Sequence, residues 1–226
     1  MTSWYDNYVK GQTERINHDS KVFKWFVKPE TGFVCEIGGY PYIFTKLINR
    51  HLDSDSVFSV VDKKTDYNLA VSSRPQYFSR DIELRPLPFL HDSQDVVVLS
   101  EVFEHLKKPI FVSSEIERVL KEEGILILTT PNLYKLENCF SFLTGRGFNF
   151  GTFGEWNKKY ELGYTGHVRE YSPKELREFF PFEIIGCERV TFKSKNNRFF
   201  YLVKKLFPFL REHQVLVMRK WKTSHM

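Results

Sequence analysis

Three acidic residues lie in or after apolar segments of the N-terminal half and have the spacing to hold a nucleoside. Glu36 lies in an apolar run, and Gly38 and Gly39 after it let the backbone turn sharply and approach a ligand closely. Asp62 ends the next apolar run, 24 residues past Gly38, where a carboxylate can accept hydrogen bonds from both hydroxyls of a ribose. Asp81 precedes an apolar, proline-rich segment and can accept a hydrogen bond from an adenine amino group. The alternatives are an ordinary strand-to-helix turn at Gly38 and a helix cap at Asp62.

Short apolar runs alternate along the chain with segments of helical periodicity, which is typical of an α/β protein with a largely parallel sheet. In such a sheet, ligands bind outside the carboxyl ends of the strands. The acidic residues stand at those predicted ends. The predicted strands cover residues 33–37, 57–61, 95–100, 125–130, 182–192 and 215–218, with a weaker strand centred on Tyr77 and Phe78.

Helix signals separate these strands. Pro41 is predicted to sit early in a helix whose apolar positions run to Ile48, and a helix over 110–120 is predicted to end at Gly124. Ser172, Pro173 and a glutamate three positions after the serine predict a capped helix start. Phe199 to Leu210 carry an amphipathic stripe whose last turn Pro208 should disturb.

The 226 residues predict one domain, 1–226, with insertions. We expect an N-terminal lid over 1–30, a substrate insertion over 133–171 and a basic amphipathic segment over 195–211. Hydrophobic residues at 42% and charged residues at 27% exclude a disordered or membrane-spanning class, and no secretory signal begins the chain, so we expect a cytoplasmic protein. Three distant cysteines predict neither a disulfide framework nor a zinc site, and Cys35 is expected to be a packing residue.

Positive charge is concentrated near the C-terminal end. The residues from Lys193 onward include nine basic residues and one acidic residue, Glu212, whereas the whole chain has a net charge of +5. This asymmetry suits an anionic partner, and a solvated basic face is the alternative. Residues 197–211 are expected to dock on the protein's own sheet, on a second subunit of a homodimer, or on a membrane surface.

Four segments closely resemble class I S-adenosylmethionine-dependent methyltransferases in residues, order and spacing. The segments are Asp81 to Phe89, Asp95 to Leu106, Glu115 to Leu120 and Gly124 to Asn132. Within that class the chain is similar to the small-molecule branch that includes ubiquinone-pathway and sugar or polysaccharide O-methyltransferases, and Gly166 to Ser172 extends the likeness. The resemblance covers about residues 33–180.

The resemblance implies a Rossmann-like fold with a mostly parallel seven-stranded sheet and helices on both faces. It also implies S-adenosylmethionine as the cofactor. The implied cofactor residues are Glu36, Gly38, Gly39, Asp62, Asp81, Ile82 and Ser100. In one departure, Tyr40 and Tyr42 stand where the family has two further glycines. A catalytically silent cofactor-binding or interaction module is therefore the alternative.

Methyl transfer is a direct displacement in which the protein holds acceptor, methyl carbon and sulfur in line, so no metal is required. An oxygen acceptor favours a base with a pKa near neutrality, which histidine provides. His105, just beyond the fourth strand, and His167, beside Arg169, are the candidate catalytic residues. His105 can alternatively shape the start of a helix.

The aromatic insertion is expected to bind the acceptor. Trp156, Tyr160 and Tyr164 can stack on a sugar face, and Arg169 can hold a carboxylate or phosphate. An aromatic mini-core that closes the lid is the alternative. We expect O-methylation of a sugar, glycan or other small hydroxylated metabolite, as in polysaccharide biosynthesis. Nucleic acid is not expected, because no binding module is evident and the aromatics are not interleaved with the basic run.

Overall fold

The predicted strands form one sheet in a computed structural model that describes residues 4–63, 75–146, 166–191 and 198–222. Their bounds lie within two residues of the predicted ones, except that the fifth strand begins at Leu120 instead of residue 125. They are β1 Phe33–Ile37, β2 Val57–Asp62, β3 Gln76–Ser79, β4 Gln94–Ser100, β5 Leu120–Pro131, β6 Glu183–Val190 and β7 His213–Arg219. The sheet order is β3-β2-β1-β4-β5-β7-β6.

The first five strands are parallel, whereas β7 is antiparallel to both β5 and β6. The strand order reverses between β1 and β4, where Ile37 pairs with Leu99. A crevice therefore opens beyond the carboxyl ends of these two strands, as in other doubly wound sheets. The mostly parallel seven-stranded sheet is confirmed.

Helices cover both faces of the sheet because successive residues of a buried strand point to opposite sides. Val97 and Leu99 of β4 pack in one core cluster, and Val96 and Val98 pack in the other. Each fully buried side chain of this kind stabilises the fold by roughly 1.5–3 kcal/mol. The described helices are α1 Trp4–Phe26, α2 Ile43–His51, α3 Pro109–Val119, α4 Leu136–Leu143, α5 Pro173–Phe179 and α6 Arg198–Leu206.

The capped start of α5 is confirmed. The Ser172 hydroxyl accepts a hydrogen bond from the backbone of Glu175, and the Glu175 carboxylate accepts one from the Ser172 backbone. Cys35 is fully buried, in agreement with its predicted packing role. Helix α6 ends at Leu206, two residues before Pro208, as the missing proline N–H requires.

Two sequence predictions of helix boundaries were wrong. Helix α2 begins at Ile43 after a left-handed Tyr42, so Pro41 lies before the helix. Helix α3 ends at Val119, and Gly124 lies within β5. A Cβ at Gly124 would lie 2.8 Å from the carbonyl oxygen of Lys121, so this glycine serves a tight backbone approach within the strand.

Segment 195–211 leaves much of its apolar stripe on the surface. Phe199, Leu202, Leu206 and Phe207 are all at least half exposed. These side chains are therefore not buried on the protein's own sheet in the part of the chain that the structure describes. Among those residues, no helix is long and apolar enough to cross a membrane.

Candidate functional site

Two adjoining clefts lie at the carboxyl edge of the sheet, and both are lined by Gly38 and Glu101. The larger has a volume of about 280 Å³, and the smaller about 70 Å³. Every cofactor residue predicted from the sequence lines one of them. The larger cleft is lined by Gly38, Asp62, Asp81 and Ile82, and the smaller by Glu36, Gly38, Gly39 and Ser100.

The backbone after β1 turns where a side chain would not fit. Gly38 has φ +79°, and a Cβ there would lie 2.0 Å from Cγ2 of Val102. A Cβ at Gly39 would lie 2.8 Å from Cγ1 of Val60. The turn is also tied to the next strand, because Tyr40 N donates to Asp62 Oδ2 at 3.0 Å. The two glycines thus bring the backbone to the edge of both clefts.

Tyr40 and Tyr42, at the two positions where the resemblance leads one to expect glycine, contact each other edge to face with ring centroids 5.9 Å apart. Tyr42 is fully buried, and its ring also lies 5.4 Å from that of Tyr77. Its φ of 65° is a left-handed conformation that costs a non-glycine residue about 1–2 kcal/mol. Burial of the large ring offsets this cost, and Tyr42 lines neither cleft.

Glu36 presents a buried carboxyl group to the smaller cleft. Its Oε2 accepts a hydrogen bond from Thr45 Oγ1 at 2.6 Å, whereas Oε1 is buried with no hydrogen bond to any described residue. Burial raises the pKa of Glu36 to about 8, and the charge of Asp62 adds to this rise while the Thr45 hydrogen bond opposes it. A cationic amine in the cleft would pair with the ionised form of Glu36.

Asp81 lines the larger cleft and is ionised. Burial opposes ionisation, but Lys63 and the backbone N–H of Glu83 outweigh it and lower the pKa of Asp81. Lys63 Nζ lies 3.0 Å from Asp81 Oδ2, and Glu83 N donates to Oδ1 at 3.0 Å. The carboxylate is thereby oriented beside Ile82, which supplies an apolar surface in the same cleft.

The two candidate catalytic histidines are neighbours, although 61 residues separate them in sequence. His105 and His167 have ring centroids 4.9 Å apart, and their ring planes are inclined at 68°. The backbone N–H groups of Val168 and Arg169 both donate to the carbonyl oxygen of Glu104, at 2.8 and 3.2 Å. These bonds join the two segments, and His105 itself lines the larger cleft.

Two buried glutamates flank the histidine pair, and the sequence analysis did not assign them a role. Glu104 Oε1 lies 3.8 Å from His105 Nε2, and Glu170 Oε1 lies 3.6 Å from His167 Nδ1. Burial, followed by the charge of Glu101, raises the pKa of Glu104 well above its usual value. Burial opposes ionisation of Glu170, but its contacts with His167 and Lys135 lower its pKa. One glutamate thus favours the acid form and the other the anion.

Of the predicted acceptor residues, only Arg169 lies in the described part of the chain. Its guanidinium bonds Glu175 at the start of α5 and stacks 5.3 Å from the ring centre of Tyr171. Trp156, Tyr160 and Tyr164 lie outside the described residues. Of the candidate catalytic and acceptor residues, the structure therefore describes His105, His167 and Arg169.

A largely buried ionic network connects α1 to β7 at the smaller cleft, which Arg15 and Glu101 line. Asp19 Oδ1 lies 2.9 Å from His213 Nε2, and His213 Nδ1 lies 3.4 Å from Glu101 Oε1. Arg15 lies 3.5 Å from Asp19 and 3.9 Å from Glu101. Local sequence patterns do not reveal this network, since residues from both ends of the chain form it.

The sheet order and the helices on its two faces form the Rossmann-like fold of class I methyltransferases. Residues 48–128 match the family described as "Methyltransferase domain". This match spans less than half of the chain. These findings do not favour the alternative of a catalytically silent module. A search of curated proteins gives no match.

Solved structures share the fold at low sequence identity. A chain of the complex between the Haloferax volcanii Trm112 methyltransferase activator and a methyltransferase is 16% identical, with a TM-score of 0.67 and 98% of each chain covered. A SAM-dependent methyltransferase from Archaeoglobus fulgidus is 13% identical, with a TM-score of 0.62, and the match covers 96% of this chain and 100% of that one. The Burkholderia thailandensis 1,6-didemethyltoxoflavin-N1-methyltransferase with bound S-adenosylhomocysteine is 12% identical, with a TM-score of 0.63 over 97% and 84% of the chains.

Proposed function

We propose that this protein is an S-adenosylmethionine-dependent methyltransferase that O-methylates a sugar, glycan or other small hydroxylated metabolite. The observation that carries the proposal is the histidine pair, His105 and His167, beside the cleft that carries the predicted cofactor residues. An imidazole at that position can help a hydroxyl lose its proton near neutral pH. Nucleic acid is not the proposed acceptor.

The cofactor would lie across both clefts. Asp62 would accept hydrogen bonds from the ribose hydroxyls, and Asp81 would accept one from the adenine amino group while Ile82 packs against the ring. Glu36, with its unpaired carboxyl oxygen, would meet the amino group of the methionine part. Glu101 and His105 line the larger cleft, so they would lie on the acceptor side of the bound cofactor.

The protein's main task in the reaction is positioning. S-adenosylmethionine would supply the methyl group and its own leaving group, since the carbon–sulfur electron pair would stay on sulfur as the acceptor oxygen bonds to the methyl carbon. In the simplest mechanism, His105 or His167 takes up the hydroxyl proton as the new carbon–oxygen bond forms. The neighbouring Glu170 carboxylate would stabilise the imidazolium if His167 were the base.

Recognition of the acceptor would come from the 133–171 insertion. Trp156, Tyr160 and Tyr164 are proposed to stack on the acceptor. Arg169 would bind an anionic group on it by exchanging its bond with Glu175. The lid role of residues 1–30 is also a proposal. It is supported by Arg15 and Ile16 of α1, which line the smaller cleft.

Calorimetry with S-adenosylmethionine and S-adenosylhomocysteine tests cofactor binding, and labelled methyl transfer to a panel of sugars and glycans tests the reaction. We expect one cofactor per chain and label on an acceptor oxygen. His105→Asn and His167→Asn should lower kcat with cofactor affinity retained, whereas His91→Asn, at an exposed histidine, should change neither. Transfer to nitrogen acceptors alone would contradict the proposal.

A further inference from the structure

Glu104, His105 and His167 converge on one point beside the larger cleft. Their potential ligand atoms, one from each side chain, all lie within 4.8 Å of one another. The closest stated pair is Glu104 Oε1 and His105 Nε2, at 3.8 Å. Two ligands of one cation with bonds of about 2.1 Å lie roughly 3–4 Å apart. Side-chain movements of less than about 1 Å would therefore bring the three ligand atoms to one cation.

The Glu104 carboxyl supplies an independent observation. The side chain is buried, and Oε2 accepts a hydrogen bond from Thr130 Oγ1 at 3.2 Å. Its other oxygen, Oε1, is the atom nearest His105 and is buried with no hydrogen bond to a described residue. A buried carboxyl oxygen of this kind is costly unless it meets a donor or a cation. Oε1 of Glu104 points toward His105 and so into the cluster of Glu104, His105 and His167.

The surroundings of His167 fit a metal ligand. Its Nδ1 faces Glu170 Oε1 at 3.6 Å, and Glu170 is itself fixed by Lys135 and by Asn138 Nδ2 at 2.7 Å. Metal-binding histidines commonly give their second ring N–H to a carboxylate, which orients the ring. With Nδ1 directed at Glu170, Nε2 is the nitrogen available to a cation.

We propose that Glu104, His105 and His167 bind one divalent transition-metal cation, which in turn binds the acceptor hydroxyl. Two imidazoles and one carboxylate suit Mn²⁺, Fe²⁺ or Zn²⁺ better than Ca²⁺. Three protein ligands leave coordination positions open for an exogenous oxygen. The sequence analysis expected no metal, because methyl displacement does not require one.

This inference rests on the proposed O-methylation and refines its chemistry. The acceptor oxygen binds the cation and releases its proton to solvent, since a bound cation lowers the pKa of a coordinated hydroxyl. The oxygen then forms its bond to the methyl carbon while the carbon–sulfur bond breaks and its electron pair remains on sulfur. The two histidines act as ligands in this step, and no base on the protein is needed.

The test is Mn²⁺ binding to the full chain after dialysis against a chelator, measured by electron paramagnetic resonance and calorimetry with S-adenosylhomocysteine present. We expect one Mn²⁺ per chain. His167→Ala and Glu104→Gln should weaken binding by at least about 100-fold, and Glu170→Gln by about 10–100-fold. His91→Ala, at an exposed histidine outside the cluster, is the matched control. Retained S-adenosylhomocysteine binding shows that each variant is folded.

The outcomes separate this inference from the proposed function. Equal Mn²⁺ binding by wild type and His167→Ala, or O-methylation that persists undiminished in chelator, overturns the metal site and leaves the proposed function intact. One Mn²⁺ bound through the three side chains, with activity lost in chelator and restored by Mn²⁺, supports both. Specific Mn²⁺ binding in a protein that methylates only nitrogen supports the site and overturns the proposed function.

Discussion

Replacement of Asp19 by Asn should destabilise the protein most where His213 is protonated. Burial opposes ionisation of Asp19. The charges of His213 and Arg15 and the hydrogen bonds from His213 and His18 outweigh burial, so the pKa of Asp19 falls from 3.8 to about 2. A change of this size is worth about 2 kcal/mol of folding free energy near neutral pH. Removal of one partner of a buried ion pair costs about 3–5 kcal/mol. We therefore expect a loss of roughly 2–5 kcal/mol.

The folding stability that Asp19 and His213 contribute depends on pH in a defined direction. Asp19 has a lowered folded pKa, so its contribution is present above pH 3.8 and is lost as the pH falls toward about 2. Burial lowers the pKa of His213, but Asp19 and Glu101 outweigh this effect and raise it above 6.5. Its contribution is present below pH 6.5 and is lost as the pH rises through the folded pKa. The pair therefore stabilises most between those limits.

Urea denaturation of wild type and Asp19→Asn at about pH 5.5 and about pH 8.5 measures this effect. The loss in unfolding free energy should be larger at the lower pH. Glu14→Gln is the matched control, because Glu14 is an exposed acid on the same helix. Equal losses at the two pH values, or a loss no greater than that of Glu14→Gln, would refute the reasoning.

Three further predictions concern the clefts and α5. Asp62→Ala should weaken S-adenosylhomocysteine binding by calorimetry about 10–100-fold, since it removes charge-assisted hydrogen bonds worth about 1.5–3 kcal/mol; unchanged affinity would contradict its role. Gly38→Ala should lower the thermal midpoint and abolish cofactor binding, because its Cβ would lie 2.0 Å from the Val102 side chain. Gly145→Ala is the control, because Gly145 also has a positive φ but lies in open space. It should cost only about 1 kcal/mol of stability and leave cofactor binding unchanged. Ser172→Ala should lose about 1 kcal/mol of stability in urea, with cofactor affinity unchanged, through loss of its cap.

Strand positions were predictable because buried parallel strands carry local, continuous apolar runs. Phe33–Ile37 is predicted and observed with the same bounds. The predicted helix boundaries were less accurate near Pro41 and Gly124. Proline can lie within the first turn of a helix or before it, and glycine can end a helix or lie within a strand. At Gly124 the use is a close approach to the Lys121 carbonyl, which sequence spacing does not reveal.

The sequence by itself determined which residues line the candidate cofactor clefts. Glu36, Asp62 and Asp81 lie in or just after apolar strands, and the carboxyl ends of those strands meet at one edge of the sheet. The tertiary structure alone decided which distant side chains meet. His105 joins His167 because backbone bonds to Glu104 hold the two segments together. Such contacts join residues that are far apart in the sequence, so local residue patterns do not predict them.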